Sequence, residues 1–313
     1  MRRLGLSRVA DVVMAPLVYP SAWLLRVIRE RGVQNFPRCK EALLAMGVFP
    51  IRDHYTEPQF NLGATPGAPR KLGGITWNVP EQLDFLGRMS FASELEHVPV
   101  RKTSSLEFYV GNGSFGPGDA EYWYQLLRLL KPRRVFEIGS GNSTLMAVKA
   151  LKANERETGQ RCRHLCVEPY EAAWLEQAGV EVLRTKVEDV GLALFEELEP
   201  NDVLFIDSSH VIRPGGDVLF EYLELLPRLK PGVMVHIHDI FSPRDYPAQW
   251  LVDWVRLWNE QYVLEAFLSE NPHWKIVGAL NHLRQDHFDE LKAVAPFLTH
   301  DDQPASFYIQ RVS

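Results

Sequence analysis

Cysteine is scarce in this sequence of 313 residues, which has only Cys39, Cys162 and Cys166. Three cysteines cannot form a disulfide framework, and the spacing of Cys162 and Cys166 is not the CxxC spacing of zinc and redox sites. Cys166 lies in an apolar strand pattern and is expected to be a small core residue. The cysteine content therefore excludes a disulfide-rich secreted domain and predicts a cytoplasmic protein.

Positive charge is not in excess either, since 34 lysines and arginines face 40 acidic residues and the net charge is −6. Proteins that bind nucleic acid need clustered basic residues, so nucleic acid is not an expected partner. The balance of 46% hydrophobic and 24% charged residues is typical of a globular protein. A chain of this length accommodates one elaborated domain or two smaller ones.

An uninterrupted membrane-spanning run is missing near the N-terminus. Arginines precede an apolar stretch over residues 9–28, which one acid and two prolines interrupt: Asp11, Pro16 and Pro20. A spanning helix needs roughly 20 mostly apolar residues, so a transmembrane helix is not favoured. The favoured prediction is helices that pack on the rest of the protein or on a second subunit of a homo-oligomer. Peripheral contact with a membrane surface is the less favoured alternative.

The pattern of apolar residues divides the chain into two regions. Residues 1–80 predict a helical and loop extension, interpreted as a lid or an oligomer contact, and residues 81–313 predict the main domain. Five strands are predicted at 134–138, 164–167, 180–183, 202–206 and 233–237. The helices predicted around them cover 120–130, 144–152, 171–178 and 218–229. This alternation is typical of a parallel sheet with helices on both faces. Two late strands, 274–279 and 306–312, predict an antiparallel end to this α/β sheet.

The most informative motif follows the first strand. Glu137 lies near the end of this strand, and the turn Gly139-Ser140-Gly141 opens directly onto a helical pattern. Glycines allow a ligand to approach the backbone closely, and a helix N-terminus offers free amide donors. A dinucleotide-binding turn reads GxGxxG, but the third glycine position is Thr144 here. The motif therefore favours a nucleoside-bearing ligand other than NAD.

The pattern Glu-x-Gly-x-Gly resembles motif I of class I S-adenosylmethionine-dependent methyltransferases. The segment Leu-Lys-Pro-Gly-Val-Met-Val-His-Ile-His-Asp at 229–239 resembles the turn and fifth strand of many of these enzymes. The resemblance covers about residues 120–312 and is greatest for small-molecule O-methyltransferases of the macrocin type. It implies a Rossmann-like sheet and S-adenosylmethionine as cofactor. It also implies methyl transfer to a hydroxyl of a small molecule or sugar, as in natural product or polysaccharide modification.

The resemblance assigns roles to individual residues. It places the methionine end of the cofactor on the turn residues Gly139, Ser140, Gly141, Asn142 and Ser143. Glu137 would lie near the cofactor ammonium group and Glu168 on the ribose hydroxyls. Val187 and Glu188 would lie beside the adenine, and Asp207 where cofactor and acceptor meet. The alternative for Glu137 is an ion pair with a neighbouring arginine, because an acid in a core strand needs a partner.

A hydroxyl acceptor must also lose a proton, which calls for a general base or a metal. The candidate catalytic residues follow the fourth and fifth strands: Asp207, His210, His238 and Asp239. Ligands and catalytic groups gather at this edge of open α/β sheets. His236 lies deeper in the strand, on the face that it shares with His238. We expect His236 to be a hydrogen-bonded core histidine.

The candidate metal ligands are Asp207, Asp239 and His238. Metal-dependent methyltransferases that the sequence resembles hold Mg²⁺ with acids after these two strands, and carboxylates suit that ion. Their second acid is followed by asparagine, where this sequence has Ile240. An imidazole in its stead would suit a softer metal. A metal-free site with His210 or His238 as base is the alternative.

Walls of the acceptor site are expected from outside the core. The candidates are His54 and Tyr55 in the N-terminal region, Arg244 and Tyr246 after the fifth strand, and an aromatic helix over 250–258. Two other functions stay open at this point. One is a binding protein with the methyltransferase fold and no catalysis, and the other is a metal-dependent reaction of another kind on the same scaffold.

Overall fold

The structure is a computed structural model that describes residues 2–51, 68–254 and 256–313. It separates into two compact units, Met1–Thr65 and Pro66–Ser313. The boundary therefore lies earlier than the division after residue 80 made from the sequence. Leu72, Ile75 and Trp77 explain the difference, because they pack against a hydrophobic cluster of the second unit. The role of the N-terminal unit as lid or oligomer contact stays a prediction.

The described part of the first unit consists of two helices. Helix α1, Arg2–Glu30, contains the apolar stretch, and helix α2, Pro37–Met46, follows after the 3-10 turn Val33–Asn35. Helix α2 ends at Gly47, whose φ of 69° is a left-handed conformation that glycine adopts readily at a helix C-terminus. By length and composition alone, Ala10–Glu30 is long and apolar enough to cross a membrane.

The second unit is built on one seven-stranded sheet. Its strands are β1 Arg134–Ile138, β2 Arg163–Val167, β3 Glu181–Leu183, β4 Val203–Ile206, β5 Met234–Ile237, β6 Trp274–Ala279 and β7 Phe307–Arg311. Their order in the sheet is β3-β2-β1-β4-β5-β7-β6. Strands β1 to β5 pair in parallel, and β7 is antiparallel to both of its neighbours. The prediction of a mostly parallel α/β sheet with an antiparallel last strand is confirmed.

Helices pack against the two faces of this sheet. They are α3 Val79–Gly87, α4 Asp119–Leu130, α5 Asn142–Thr158, α6 Leu192–Phe195, α7 Asp217–Phe220, α8 Glu260–Leu268, α9 Leu280–Asp286 and α10 Phe288–Val294. Alternate strand residues point to opposite faces, so Val135 joins one hydrophobic cluster and Phe136 the other. From β1, the strands β2 and β3 follow on one side in the sheet, and β4 and β5 follow on the other. The change of side between β1 and β4 is where such folds form a ligand crevice.

Two predicted helices differ from the structure. The segment 171–178 contains only the 3-10 turn Leu175–Ala178. The segment 218–229 begins within α7 but continues as a π turn and then the 3-10 turn Leu226–Arg228. Pro227 lies in that last turn and has no backbone N–H to extend an α-helix.

The last two strands are not joined as a simple hairpin. Residues 280–306 separate β6 from β7 and contain α9 and α10, which the apolar pattern did not predict. Strand β7 returns to lie between β5 and β6. The antiparallel pairing was therefore predicted correctly, and the helical connection was missed.

Candidate active site

A cavity of about 780 Å³ opens at the carboxyl-terminal ends of β1 to β4. The residues that line it include Gly139, Ser140, Glu168, Val187, Glu188, Asp207 and His210. All of these except His210 are positions that the resemblance assigned to the cofactor. The volume is within the range of small-molecule and cofactor sites. The turns after four different strands therefore converge on one ligand-sized space.

Gly139 brings the turn after β1 against the end of β4. Its φ is 76°, and a Cβ atom at this position would overlap the backbone oxygen of Asp207. Gly139 N donates to Val167 O at 3.0 Å, and Asp207 N donates to Ile138 O at 2.8 Å, which joins three strand ends. Gly141 is different, because its φ is −177° and a Cβ atom there would meet nothing within 4 Å. Glycine is therefore required at 139 by the packing of the turn on β4, whereas at 141 the space beside the backbone is empty.

Glu137 is buried beneath this turn and does not line the cavity. Its carboxylate accepts a hydrogen bond from Thr144 Oγ1 at 2.6 Å and lies 2.6 Å from His164 Nε2. The Thr144 hydroxyl accepts a hydrogen bond from Gly141 N at 3.2 Å. The partner of Glu137 is thus a histidine and not an arginine. Thr144, where a dinucleotide site has glycine, links Glu137 to the turn and holds the turn in position.

Glu168 stabilises the neighbouring turn after β2. One of its oxygens accepts a hydrogen bond from Ser140 N at 3.2 Å, and the other accepts from Tyr170 N at 2.9 Å and Glu171 N at 2.8 Å. A carboxylate has lone pairs for about four such bonds, so Glu168 keeps acceptor capacity toward the cavity. The contact of Glu168 with ribose hydroxyls stays a prediction.

Asn142 and Ser143 lie away from the main cavity. Asn142 Nδ2 donates to Ser114 Oγ at 2.8 Å, and Asn142 lines a neighbouring cavity of about 300 Å³. Ser143 is buried in the first turn of α5. These two predicted cofactor contacts are therefore placed at the margin of the site, and the residues with the best access are Gly139, Ser140 and Glu168.

The four predicted catalytic residues meet where β4 and β5 end. Asp207 Oδ1 lies 3.2 Å from His210 Nε2 and 3.5 Å from His238 Nδ1. The two carboxylate oxygens of Asp239 lie 3.6 Å from the same two imidazoles. The structure therefore brings Asp207, His210, His238 and Asp239 into one cluster.

Glu260 holds His210 in place and was not predicted from the sequence. Glu260 Oε2 lies 2.7 Å from His210 Nδ1, and its other oxygen accepts a hydrogen bond from the Tyr222 hydroxyl at 3.0 Å. The backbone amides of Asn259 and Glu260 donate to His210 O at 2.9 and 3.2 Å. His210 has a φ of 59° and Asp239 a φ of 58°, which is uncommon for residues other than glycine. Backbone strain of this kind concentrates at functional sites.

The cluster shifts the pKa values of its members. Burial alone lowers the pKa of His210, but the hydrogen bonds to Asp207 and Glu260 outweigh it and raise that pKa well above its usual value. Burial also opposes the charge on His238, and the carboxylates of Asp239 and Asp207 raise its pKa. Removal from water raises the pKa of Asp207, yet the two imidazoles hold it below its usual value. Burial raises the pKa of Asp239. The two imidazoles therefore stabilise the charge on Asp207, whereas burial disfavours the charge on Asp239.

His236 is a core histidine, but it has no hydrogen bond. Its ring is completely buried and stacks on Tyr308 at a centroid distance of 4.2 Å. Neither ring nitrogen has a hydrogen-bond partner, and burial lowers the pKa of His236 well below its usual value. The ring is therefore neutral and packs as an aromatic side chain, so the predicted hydrogen bonding is wrong and the core position is right.

The donor atoms of Asp207, His238 and Asp239 fit a divalent metal. They all lie within 4.8 Å of one another. The separations of 3.5 and 3.6 Å between His238 Nδ1 and the two acids are too long for good hydrogen bonds. Both buried nitrogens of His238 are without a hydrogen bond, and a buried polar atom normally has a partner. Ile240 is completely buried in a hydrophobic cluster and contributes no ligand.

Asp207 also lines a second cavity, of about 440 Å³. His238, Asp239 and Asp119 are among its other polar walls. The Asp119 carboxylate accepts hydrogen bonds from the backbone amides of residues 305 and 306 at 2.9 and 2.7 Å, and it lies 3.7 Å from His238 Nε2. No local pattern in the sequence indicated that Asp119, at the start of α4, reaches this site.

An arginine surrounded by tryptophans forms the opposite wall of this second cavity. Trp250, Trp254 and Arg256 line it. The guanidinium carbon of Arg256 lies 4.7, 4.9 and 4.2 Å from the ring centroids of Trp250, Trp254 and Trp258, as in cation–π contacts. The predicted aromatic helix is reduced to the π turn Gln249–Asp253. Contact with the arginine, and not helical periodicity, therefore organises these rings.

The predicted substrate residues have other positions. His54 and Tyr55 lie outside the described residues. Tyr246 is buried, and its hydroxyl accepts a hydrogen bond from Gln261 N at 3.2 Å. Arg244 and Tyr246 line neither of the two main cavities. The placement of this pair does not support substrate contact, because packing turns the Tyr246 ring into an aromatic cluster with Phe241 and Trp258.

Residues 136–240 match the model of the family described as Methyltransferase domain. The matched segment runs from β1 to the residue after Asp239, and it contains the glycine turn, Glu168 and the four clustered residues. Residues 136–240, about a third of the chain, are thus similar to a methyltransferase domain. The prediction made from the Glu-x-Gly-x-Gly pattern is confirmed for this segment.

A relative and two solved structures resemble longer parts of the chain. A protein of Archaeoglobus fulgidus described as uncharacterized is 30% identical over 135 residues, which are 41% of this chain and 60% of that protein. The chain thus aligns with less than two thirds of that relative. An O-methyltransferase from Bacillus cereus in complex with S-adenosylhomocysteine is 18% identical, with 74% of this chain and 91% of that chain covered and a TM-score of 0.39. The protein CmcI with magnesium and S-adenosylmethionine is 15% identical, with 82% and 91% covered and a TM-score of 0.37.

Proposed function

We propose that this protein is an S-adenosylmethionine-dependent methyltransferase that acts on a hydroxyl of a small molecule or sugar. The observation that carries the proposal is the position of Asp207, which lines both the cavity at the glycine turn and the cavity beside the tryptophans. Methyl transfer is an in-line displacement, so donor and acceptor must meet at a single point. Asp207 and its cluster mark that point.

The first cavity suits the cofactor. The bound cofactor supplies the electrophilic methyl group, and the residues of this chain bind and orient it. Glu168 has acceptor capacity for ribose hydroxyls, and Val187 offers an apolar wall for the adenine. Gly139 and Gly141 keep the backbone accessible. Glu137 acts from beneath, because it holds Thr144 and through it the turn.

The second cavity suits a polar acceptor with an apolar face. Carboxylates of Asp119, Asp207 and Asp239 can accept hydrogen bonds from hydroxyl groups. Trp254 is half exposed and offers a flat apolar surface. A sugar or a similar polyhydroxylated molecule combines these two properties. His210 holds Asp207 in position at the edge of this cavity, because its Nε2 atom lies 3.2 Å from Asp207 Oδ1.

A divalent metal would be held by Asp207, His238 and Asp239. At this position it would lower the pKa of the acceptor hydroxyl. The imidazole in the donor set favours a softer ion than Mg²⁺. The alternative is a metal-free site in which His210 or His238 takes the hydroxyl proton at its ring nitrogen, and because the pKa values of both imidazoles are raised, the one that acts as base must first release its own proton.

Chelation separates these two possibilities. With a metal in the site, we expect dialysis against a strong chelator to reduce the release of S-adenosylhomocysteine at least about 100-fold, because the hydroxyl loses its activation. Mn²⁺ or Fe²⁺ should restore the rate better than Mg²⁺. Full activity in the chelator would contradict a metal role and support the histidine base.

Calorimetry with S-adenosylmethionine tests the cofactor itself. We expect the wild-type protein to bind, and Glu168→Ala to bind at least about tenfold more weakly, since the loss of charge-assisted hydrogen bonds costs about 1.5–3 kcal/mol. Glu155→Ala is the matched control, because Glu155 is exposed on α5 and away from the cavity. Wild-type protein that does not bind S-adenosylmethionine would contradict the proposal. Binding without S-adenosylhomocysteine release from any acceptor tested would favour a binding protein with this fold.

A further inference from the structure

The N-terminal helix α1 carries many apolar side chains that the described residues of its own unit, 2–51, leave exposed. More than half of the side-chain surface is exposed at Val12, Val13, Met14, Leu17, Tyr19 and Trp23. Only 6% of the apolar window between Ala10 and Glu30 is buried. An exposed apolar patch of this extent marks an interaction surface. This surface lies in the first unit of the chain.

The apolar residues surround the helix completely. Successive positions in a helix are 100° apart, so Val12, Val13 and Met14 point in three different directions, and the exposed residues Val18 and Tyr19 cover the remaining side. A protein partner usually covers one stripe of a helix, whereas lipid surrounds all sides. Pro16 and Pro20 lie within this helix, and proline is more frequent in membrane helices than in soluble ones.

The charged residues of this region lie on both sides of an uncharged segment, an arrangement that suits a membrane. Residues 12–25 contain no charged side chain, and 14 residues of helix extend about 21 Å, less than the roughly 30 Å of the hydrocarbon core. Arginines flank this segment on both sides: Arg2, Arg3 and Arg8 before it, and Arg26, Arg29 and Arg31 after it. The first 31 residues contain six arginines and only two acids, although the whole chain carries a net charge of −6. Basic residues beside an apolar helix attract anionic lipid.

We propose that α1 inserts its uncharged segment into an anionic lipid bilayer and places its arginines among the headgroups. The long arginine side chains can reach the headgroup level from the helix ends. Trp23 lies near the C-terminal end of this segment, and tryptophan favours the boundary between hydrocarbon and water. The proposal takes up peripheral membrane contact, the less favoured alternative from the sequence, and a helix packed on protein or on a second copy of the chain stays the competing expectation.

Flotation of the full-length protein with vesicles tests this proposal. We expect binding to phosphatidylcholine vesicles that contain about 30% phosphatidylglycerol, and weaker binding to pure phosphatidylcholine. Val13→Asp should lower the partition coefficient at least about tenfold, because an acid in the hydrocarbon region is costly. Val100→Asp is the matched control: Val100 is 64% exposed and Val13 66%, but Val100 lies in the second unit. Both variants should keep the thermal stability of the wild-type protein.

Three outcomes would overturn the proposal. The first is a wild-type protein that floats with neither kind of vesicle, and the second is a Val13→Asp variant that floats as well as the wild type. Alternatively, sedimentation without lipid could show a dimer that Val13→Asp dissociates, which would assign the apolar helix to a second copy of the chain. Because S-adenosylmethionine binding is measured separately, failure here leaves the proposed function unaffected.

Discussion

Replacing Asp207 with asparagine is expected to reduce the rate of methyl transfer at least about 1000-fold, a loss of about 4 kcal/mol of transition-state stabilisation. The substitution removes the negative charge that lies 3.2 Å from His210 and 3.5 Å from His238. It also weakens a metal ligand and changes the only one of the four clustered residues that lines both cavities. The measurement is S-adenosylhomocysteine release under single-turnover conditions.

The fold should survive this change. Asp207 is held by a backbone hydrogen bond to Ile138 O, which asparagine keeps, and its side chain is a third exposed. The matched control is Asp189→Asn, because Asp189 is exposed and lines neither cavity. S-adenosylmethionine binding should stay within about tenfold of the wild type, since Glu168 and the glycine turn are intact. A rate within a factor of ten of the wild type would remove Asp207 from the mechanism.

Gly139→Ala is expected to destabilise the protein by about 3 kcal/mol or more and to abolish S-adenosylmethionine binding. A Cβ atom at this position would overlap the backbone oxygen of Asp207, and backbone cannot move aside as a flexible side chain can. The φ of 76° adds strain for any residue with a side chain. Denaturant unfolding and calorimetry measure the two effects.

Gly141→Ala provides the contrast two residues away. A Cβ atom there meets nothing within 4 Å, and its φ of −177° is open to any residue. Stability should therefore change by less than about 1 kcal/mol. If both substitutions destabilise the protein equally, the close contact between Gly139 and the end of β4 is not the reason for the glycine at 139.

Local sequence patterns predicted most of the strands of the sheet. The five parallel strands are short apolar runs, and their predicted limits agree with the structure to within a residue or two. The exceptions are segments where the local pattern was ambiguous, such as 171–178, which forms only a 3-10 turn at its end. Helix α8 was missed because its buried face includes the polar residues Glu260, Gln261 and Glu265, and α9 and α10 were missed because seven residues are too few for an apolar repeat to stand out.

Contacts between distant residues could not be predicted in the same way. His210 and Glu260 are 50 residues apart in the chain, and Asp119 reaches Ser306 N across 187 residues. The orientation of Arg256 depends on three tryptophan rings in a segment with little regular structure. Each contact exists only after the strands have been ordered in the sheet.

The sequence by itself therefore determined the α/β class, the glycine turn and the strand-tip acids, because strand periodicity and turn chemistry are local properties. The tertiary structure alone decided that Glu137 supports the turn from below and does not line the cavity. It also decided that Asp207 lies between two cavities and that Glu260 orients His210. Partners of buried polar groups are chosen by the packing of separate elements, and one sequence does not encode that choice in any local pattern.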